Sequence, residues 1–281
     1  MFSQRLFFSG KVRGGIGNQF FQANMISQLG LQLGVAAESE PLEILRHFSV
    51  RNLRREIIRH EAPPVHIERD FFVNGNWNDV LRRIRQVLRD RKSVGVPAGV
   101  LGERFAETSS LPVYKIFRPR AETQRSIRER SRLSTIGNLV PSDELVVLSH
   151  HRGKDFHQWD ASAIPSFAYY KTALELIGAS NPGMTIRHDV VTDDEELPSV
   201  QGFIREGKVP RRRSTYEDFM FLSTAHIIIA PPSTFSFWAA LMGSGTIVFP
   251  EEWVQSKAST CDILWSRASQ NKIPGLQILL A

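Results

Sequence analysis

The chain has 281 residues, of which 42% are hydrophobic, 10% aromatic and 23% charged, a globular composition that excludes a disordered or fibrous protein. It is long enough for one large domain or two of ordinary size, and its single cysteine, Cys261, excludes an intrachain disulfide framework and a multi-cysteine zinc site. The formal net charge is +6, which favours anionic partners over cationic ones.

No apolar run approaches the ~20 residues of a membrane span, and the first ten residues lack the charged start and apolar stretch of a signal peptide. The expectation is a soluble, cytoplasmic protein.

The chain opens with an apolar segment, residues 6–12, which predicts a strand. Arg13-Gly14-Gly15-Ile16-Gly17-Asn18-Gln19 then reads as a glycine turn. Phe21, Met25, Leu29 and Leu33 recur every four residues, which predicts a helix, and Gly34 stands where it would stop. Strand, glycine turn and helix make the opening of a Rossmann-like unit. Residues 40–132 are rich in arginine, with helix-like stretches over residues 42–59 and 77–92, and no chemistry is legible there. Gly137 and Pro141, among polar residues, suggest a break, so two domains are expected, residues 1–137 and 138–281.

The second half alternates strands with helices. Short apolar runs predict strands over residues 145–148, 189–191, 227–230 and 247–249, separated by helix-like stretches over residues 167–177, 216–224 and 235–242. That alternation indicates a parallel sheet with right-handed crossovers. The predicted architecture is α/β, with two Rossmann-like domains facing across a cleft.

In open α/β sheets ligands sit beyond the carboxyl ends of strands. Three predicted strands in the second half end in polar clusters there: Ser149-His150-His151-Arg152-Gly153-Lys154-Asp155, Thr192-Asp193-Asp194, and Pro231-Pro232-Ser233-Thr234. Arg152 carries a fork of donors suited to phosphate oxygens. Ser233 and Thr234 stand where a helix starting near Phe235 would place its N-cap, and a helix start offers backbone N–H groups and a favourable dipole to an anion.

Each cluster also has a plain structural reading. Arg152 could pair with Asp155 or Asp193 as a structural ion pair, Thr192-Asp193-Asp194 could cap a helix, and Ser233-Thr234 could be an ordinary capped turn in a core. His150, His151, Asp155 and His157 fit no established zinc spacing, so no metal is expected. Trp159, Trp238, Trp253 and Trp265 read as core or rim rather than sugar platforms.

The excess arginine is clustered at Arg51, Arg54 and Arg55; Arg82, Arg83 and Arg85; Arg118 and Arg120; and Arg211, Arg212 and Arg213. Such surfaces attract nucleic acid, acidic lipid or a sugar nucleotide, although any one cluster is equally a solvated face. Base-stacking aromatics are absent from these runs, which disfavours nucleic acid.

Taken in order, the Gly14–Gln19 turn, His150-His151-Arg152 with Asp155, Thr192-Asp193-Asp194 and the block from Asp218 to Trp238 resemble the fucosyltransferase superfamily that uses GDP-fucose. The glycine-asparagine-glutamine turn and Ser233-Thr234-Phe235-Ser236-Phe237-Trp238 are most similar to the α-1,2-fucosyltransferases (glycosyltransferase family 11), and the Pro-Pro-Ser-Thr variant resembles bacterial α-1,6-fucosyltransferases. The resemblance covers most of residues 145–250 and about residues 10–34. It implies a GT-B fold and an inverting, metal-independent transfer of L-fucose from GDP-fucose to a glycan acceptor, as in polysaccharide biosynthesis, with no cofactor beyond the donor.

By that resemblance Arg152 would bind the pyrophosphate, His150 and Asp218 would lie near guanosine, and Asp193 would steady Arg152 or touch the sugar. Ser233 and Thr234 would hold the β-phosphate, Gly17 would lie in the donor-side turn, and Asn18 would reach from the first domain toward the sugar. Arg152, Asn18 and Asp155 are the expected catalytic residues, and Asp155, His157 and Asn18 the candidate bases. The chain departs from the family where Gly153 follows Arg152 in place of a second arginine, where the asparagine usual before the Ser-Thr stretch is absent, and where Pro231-Pro232 lengthen the segment. Alternatives are another GDP-sugar as donor, or a non-catalytic basic protein that binds RNA or anionic membrane. Peripheral membrane contact also fits the basic charge of an enzyme meeting lipid-linked acceptors, and nothing in the sequence reads out an oligomeric state.

Overall fold

Two parallel sheets of five strands organise the chain. The structure is a computed structural model that describes residues 5–9, 15–39, 42–55, 65–90, 93–97, 116–119, 143–210, 213–243, 245–259, 270 and 276–281. The chain divides into two units, Met1–Gln124 and Arg125–Ala281. The expected boundary at 137/138 lies outside the described residues, as do Gly14, Arg120, Arg211, Arg212, Cys261 and Trp265.

In the first unit, strand β1 (Arg5–Ser9) runs toward helix α1 (Ile16–Leu33). Gly34 ends α1 at φ 69°, a left-handed conformation that glycine adopts without strain, and its N–H returns to the carbonyls of Gly30 and Leu31. There follow β2 (Ala36–Ser39), α2 (Ile44–His47), β3 (Phe48–Val50), β4 (Leu53–Arg55), β5 (Val65–His66), α3 (Arg69–Asn74), α4 (Trp77–Arg89), β6 (Val94–Pro97) and β7 (Phe117–Pro119). The sheet order is β4-β2-β1-β6-β5, with every pairing parallel. β3 pairs with β7 in a separate antiparallel ribbon. Leu6 and Phe8 of β1, Met25, Ile26 and Leu29 of α1, Val94 and Val96 of β6, and Val80, Ile84 and Val87 of α4 form one core.

The helix expected over residues 42–59 is corrected: among the described residues, 42–55, the structure has one short helix and two strands. Phe48 and Val50 are buried on either side of exposed Ser49, a period-2 pattern that a helix cannot satisfy. Asn52 breaks the chain at φ 58°, and its side-chain amide donates to the Val35 carbonyl at 2.8 Å.

The second unit runs β8 (Glu144–His151), α5 (Phe156–Trp159), a 3-10 turn (Ala161–Ala163), α6 (Phe167–Ser180), β9 (Thr185–Thr192), α7 (Pro198–Arg205), α8 (Thr215–Leu222), β10 (Ile227–Ile229), α9 (Thr234–Met242), β11 (Thr246–Phe249), α10 (Glu251–Ser259) and β12 (Gln277–Leu280). Its sheet order is β12-β11-β10-β8-β9, again with every pairing parallel. Leu145, Val147, Ile227, Ile229 and Val248 pack against Tyr170, Ala173 and Ile177 of α6 and Phe203 of α7.

The strand expected to end at residue 148 continues to His151. Ser149, His150 and His151 are therefore sheet residues, in register with Val190, Val191 and Thr192. Their polarity hid them from an apolar-run reading. They are buried because partners inside the fold satisfy them, as described below.

From β8 the chain moves outward to β9, then returns to place β10 on the other side of β8. Neighbouring strands whose crossovers leave in opposite directions open a crevice at their carboxyl ends, where such sheets take ligands. In this unit the crevice lies where β8 delivers Arg152 and β10 delivers Pro231–Thr234.

Candidate functional site

Arg152, the first residue beyond β8, is fixed on several sides. Its Nε and Nη2 donate to Asp155 Oδ1 and Oδ2, each at 2.8 Å, and Nε stands 4.0 Å from Asp193 Oδ2. The guanidinium lies 5.7 Å from the Phe156 ring centroid and 6.0 Å from that of Phe235. Burial works against its charge, but the hydrogen bonds and charges of Asp155, with Asp193, outweigh this and raise its pKa above the usual arginine value. The bonds from Arg152 hold the Asp155 carboxyl below its ordinary range despite partial burial. The structural reading of Arg152 as an ion-pair partner is thus real, and it leaves guanidinium donors for a ligand: the fork has five N–H groups.

Gly153 donates its N–H to Asp193 Oδ1 at 2.9 Å. A Cβ at this position would overlap Asp194 Oδ2 and sit 2.9 Å from both Asp194 Cβ and Leu197 Cδ2. A side chain at position 153 would therefore crowd Asp194 and Leu197. Lys154 is exposed. Thr192-Asp193-Asp194 does not cap a helix, because α7 starts at Pro198 with Leu197 as its N-cap. These residues form a tight turn instead, in which Asp194 N–H donates to Thr192 Oγ1 at 3.0 Å and Glu196 N–H to Asp194 Oδ1 at 3.1 Å.

Across the switch point, Ser233 caps α9, its hydroxyl accepting the Phe235 N–H at 3.2 Å. Ser233 is buried and Thr234, the first helical residue, is half-buried. The positive end of α9 therefore faces the same crevice as Arg152. Phe235 ties these parts together: its ring lies 5.3 Å from His150 and 5.4 Å from Phe219, the neighbour of Asp218 on α8. The sequence marked Phe235 only as a helix start.

His150 is buried, with Nδ1 2.6 Å from Ser236 Oγ. Burial first, then the Arg152 charge, pushes its pKa down to about 3, so the ring is neutral. Asp218 stands in the first turn of α8, whose capping box is Ser214 and Glu217. Its Oδ1 is buried and 3.7 Å from Arg213 Nη1, and the Arg213 guanidinium lies 4.0 Å over the Phe221 ring. Burial lifts the Asp218 pKa to about 6 against the opposing pull of Arg213, and Glu217 and Asp193 add to the rise.

Beneath the crevice lies a polar network that the sequence did not reveal. Ser149 Oγ is 3.0 Å from His151 Nε2 and 2.9 Å from His188 Nε2, while His151 Nδ1 is 2.9 Å from Ser199 Oγ. His151 stacks on Tyr170 at 3.8 Å, and the Tyr170 hydroxyl donates to the His150 carbonyl. Period-2 placement of Ser149 and His151 was the available signal. A strand that ends at its last apolar residue hides that signal.

Gly17 and Asn18 belong to the first unit, in the first turn of α1 behind its N-cap Gly15. Gly17 is buried, and the Asn18 carbonyl accepts from Gln22 Nε2 at 3.1 Å. Trp238 and Trp253 are buried, as expected of core residues, whereas Trp159 is 59% exposed and rests against Phe156 and Trp253. His157 lies 3.8 Å from Asp194 Oδ2. Among the described residues no group of three or more histidine, cysteine or acidic side chains could hold a metal ion, and no helix is long and apolar enough to cross a membrane.

An arginine held by carboxylates, a helix amino end and hydroxyl groups meet at one switch point, a donor set chemically suited to an anion with several oxygens. The fold that carries it has solved counterparts. The NodZ fucosyltransferase from Bradyrhizobium matches with a TM-score of 0.56 at 12% identity, over 85% of this chain and 92% of that one. POFUT1 in complex with GDP matches with a TM-score of 0.55 at 11% identity, over 88% and 98%. NodZ α-1,6-fucosyltransferase soaked with GDP-fucose matches with a TM-score of 0.51 at 14% identity, over 85% and 93%. The chain therefore has the mixed α/β fold of GT-B-type transferases, with two parallel-sheet Rossmann-like regions. No protein-family model matches the chain, and no curated protein matches it in sequence.

Proposed function

We propose that this protein is an inverting glycosyltransferase that moves L-fucose from GDP-fucose to a glycan acceptor without a metal ion. The observation that carries the reading is Arg152, held by Asp155 and Asp193 at the switch point beside the capped start of α9. The structures it resembles in fold include one bound to GDP and one soaked with GDP-fucose, which supports GDP-fucose as donor. On this reading the second unit binds the donor and the first serves the acceptor.

In the transfer, the acceptor hydroxyl oxygen bonds to the anomeric carbon, and the bond from that carbon to the β-phosphate oxygen breaks. GDP leaves with the electron pair, and the hydroxyl proton passes to solvent or a nearby base. Negative charge grows on the diphosphate in the transition state, so donors fixed there beforehand lower the barrier. Arg152 takes the pyrophosphate, and Ser233 and Thr234 with the α9 amides take the β-phosphate. Asp193 steadies Arg152 through Gly153. His150 shapes the nucleoside side through Phe235, and Asp218 accepts from guanine N1 and N2. Gly17 and Asn18, in the first turn of α1, are what the first unit contributes to the transfer. Asp155 acts chiefly by aiming Arg152, since a carboxyl held below its ordinary range is a weak base. The Asn18 amide is not basic at neutral pH, which leaves His157 as the candidate base.

The test is calorimetry with GDP, UDP and TDP, followed by GDP release from GDP-fucose and GDP-mannose with a glycan panel. Preference for GDP with fucose-dependent turnover is expected. Turnover of GDP-mannose alone would move the reading to another GDP-sugar, and binding of neither GDP nor GDP-fucose would overturn it.

A further inference from the structure

Helix α4 in the first unit is divided sharply by burial. Val80, Leu81, Ile84, Val87 and Leu88 are buried in the core, and Asn78, Arg82, Arg83, Arg85, Gln86 and Arg89 are exposed. An open groove of about 540 Å³ runs along the exposed face, lined by Asn78, Arg82, Arg85, Gln86 and Arg89. Arg82 pairs with Asp79 at 2.9 Å yet remains 77% exposed. Arg83, Arg85 and Arg89 make no ion pair with any described residue.

We infer that this face of α4 is a docking surface for the anionic phosphate headgroups of a phospholipid membrane. Among the described residues the groove is lined by guanidinium and amide groups, which offer donors and positive charge. Arg82 and Arg89 stand about 10 Å apart along the axis, so the row spans more than one phosphate. The apolar face of α4 is already used in the core, so contact stays at headgroup depth and is electrostatic rather than inserted. The exposed face carries no aromatic residue on which a base could stack, which favours a lipid surface over nucleic acid. This inference does not depend on the transferase reading, because α4 lies outside the unit that carries Arg152.

Co-sedimentation of the full chain tests it. Vesicles of equal parts phosphatidylglycerol and phosphatidylcholine should bind the protein, phosphatidylcholine alone should not, and raised salt should weaken the binding. The double variant Arg85→Glu/Arg89→Glu should lower partitioning at least roughly tenfold. Circular dichroism melting checks that it folds, as both side chains are exposed; if it does not, Arg85→Gln/Arg89→Gln should give a smaller loss in the same direction. Arg152→Ala should bind vesicles like the wild type. Equal binding by wild type and a folded double variant, no binding to anionic vesicles, an equal loss in Arg152→Ala, or displacement of bound vesicles by single-stranded RNA would each overturn the inference.

Discussion

Arg152 and Asp155 meet through two parallel hydrogen bonds, Nε to Oδ1 and Nη2 to Oδ2, both at 2.8 Å. The pair is local in sequence, yet it fixes the guanidinium plane between Phe156 and Phe235 at the mouth of the switch point. A guanidinium fixed before the ligand arrives pays less orientational entropy when it binds. Arg152→Ala should therefore reduce kcat/KM for GDP-fucose by about a hundredfold to a thousandfold. Arg152→Lys, which keeps the charge and loses the fork, should recover only a part. Asp155→Asn should leave GDP binding measurable but weaken turnover by about tenfold, through looser positioning. Steady-state GDP release, with calorimetry for GDP affinity, separates these effects, and unchanged turnover in Arg152→Ala would remove the arginine from the mechanism.

On the proposed reading, Asp218 should give donor binding a pH signature. Its pKa is lifted to about 6, so it is ionised above that value and increasingly protonated below it. Guanine N1 and N2 donate, so they are best received by the carboxylate. GDP affinity should fall as pH is lowered through about 6, while UDP affinity, weak throughout, should not follow the same curve. Asp218→Asn should flatten the profile near pH 6 and narrow the GDP-over-UDP preference roughly tenfold or more. A GDP affinity independent of pH between the two forms of Asp218 would remove it from base recognition.

The alternation of apolar runs with helix-like stretches made the second unit legible in the sequence. Ile227–Ile229, α9 and its Ser233 cap lie where the residues alone place them. What the sequence concealed was polar and long-range. Ser149, His150 and His151 escape an apolar-run reading of the strand, whereas Ser199, His188, Ser236 and Tyr170 satisfy them from other elements. The helix expected over residues 42–59 failed for a similar reason: Phe48 and Val50 are set by pairing with β7, far along the chain. Arg152 and Asp193 were legible as candidates, but the Gly153 amide that connects Asp193 to the Arg152 loop depends on a close approach that only coordinates reveal.

That close approach makes Gly153 a sensitive position. A methyl group there would press on Asp194 and Leu197, and the Gly153 N–H would be pulled from Asp193. Gly153→Ala should destabilise the protein by about 1–3 kcal/mol, as overpacking does. Gly153→Arg should cost more and should lower rather than raise donor affinity. Urea denaturation and GDP calorimetry on both variants check this; a fully stable Gly153→Arg with tighter GDP binding would show that the Asp194 turn yields freely.

The buried histidines set an acid limit on stability. His150 and His188 are pushed down to about 3 and about 4, in both cases mainly by burial, with the charges of Arg152 and Lys208 adding to the effect. His151 is lowered well below its usual value by burial and by its two histidine neighbours. Unfolding releases each ring to titrate near 6.5, so between that pH and the folded values the unfolded chain binds more protons than the native one. The stabilisation is therefore complete above 6.5 and is lost as pH falls, at up to about 1.4 kcal/mol per pH unit for each histidine. Asp218 acts in the opposite direction, because its raised pKa lets the folded state hold a proton that the unfolded chain releases down to 3.8. One carboxyl cannot offset three imidazoles, and the net slope should be a marked loss of stability between about pH 6.5 and about pH 4. His188→Gln keeps a side chain able to bond Ser149 and removes one of the three titrating imidazoles that Asp218 partly offsets, so it should reduce the net slope by about half while costing some stability at neutral pH. Urea unfolding followed across this pH range gives both slopes, and a wild-type stability that stays level through it would mean that these rings take up protons within the native fold.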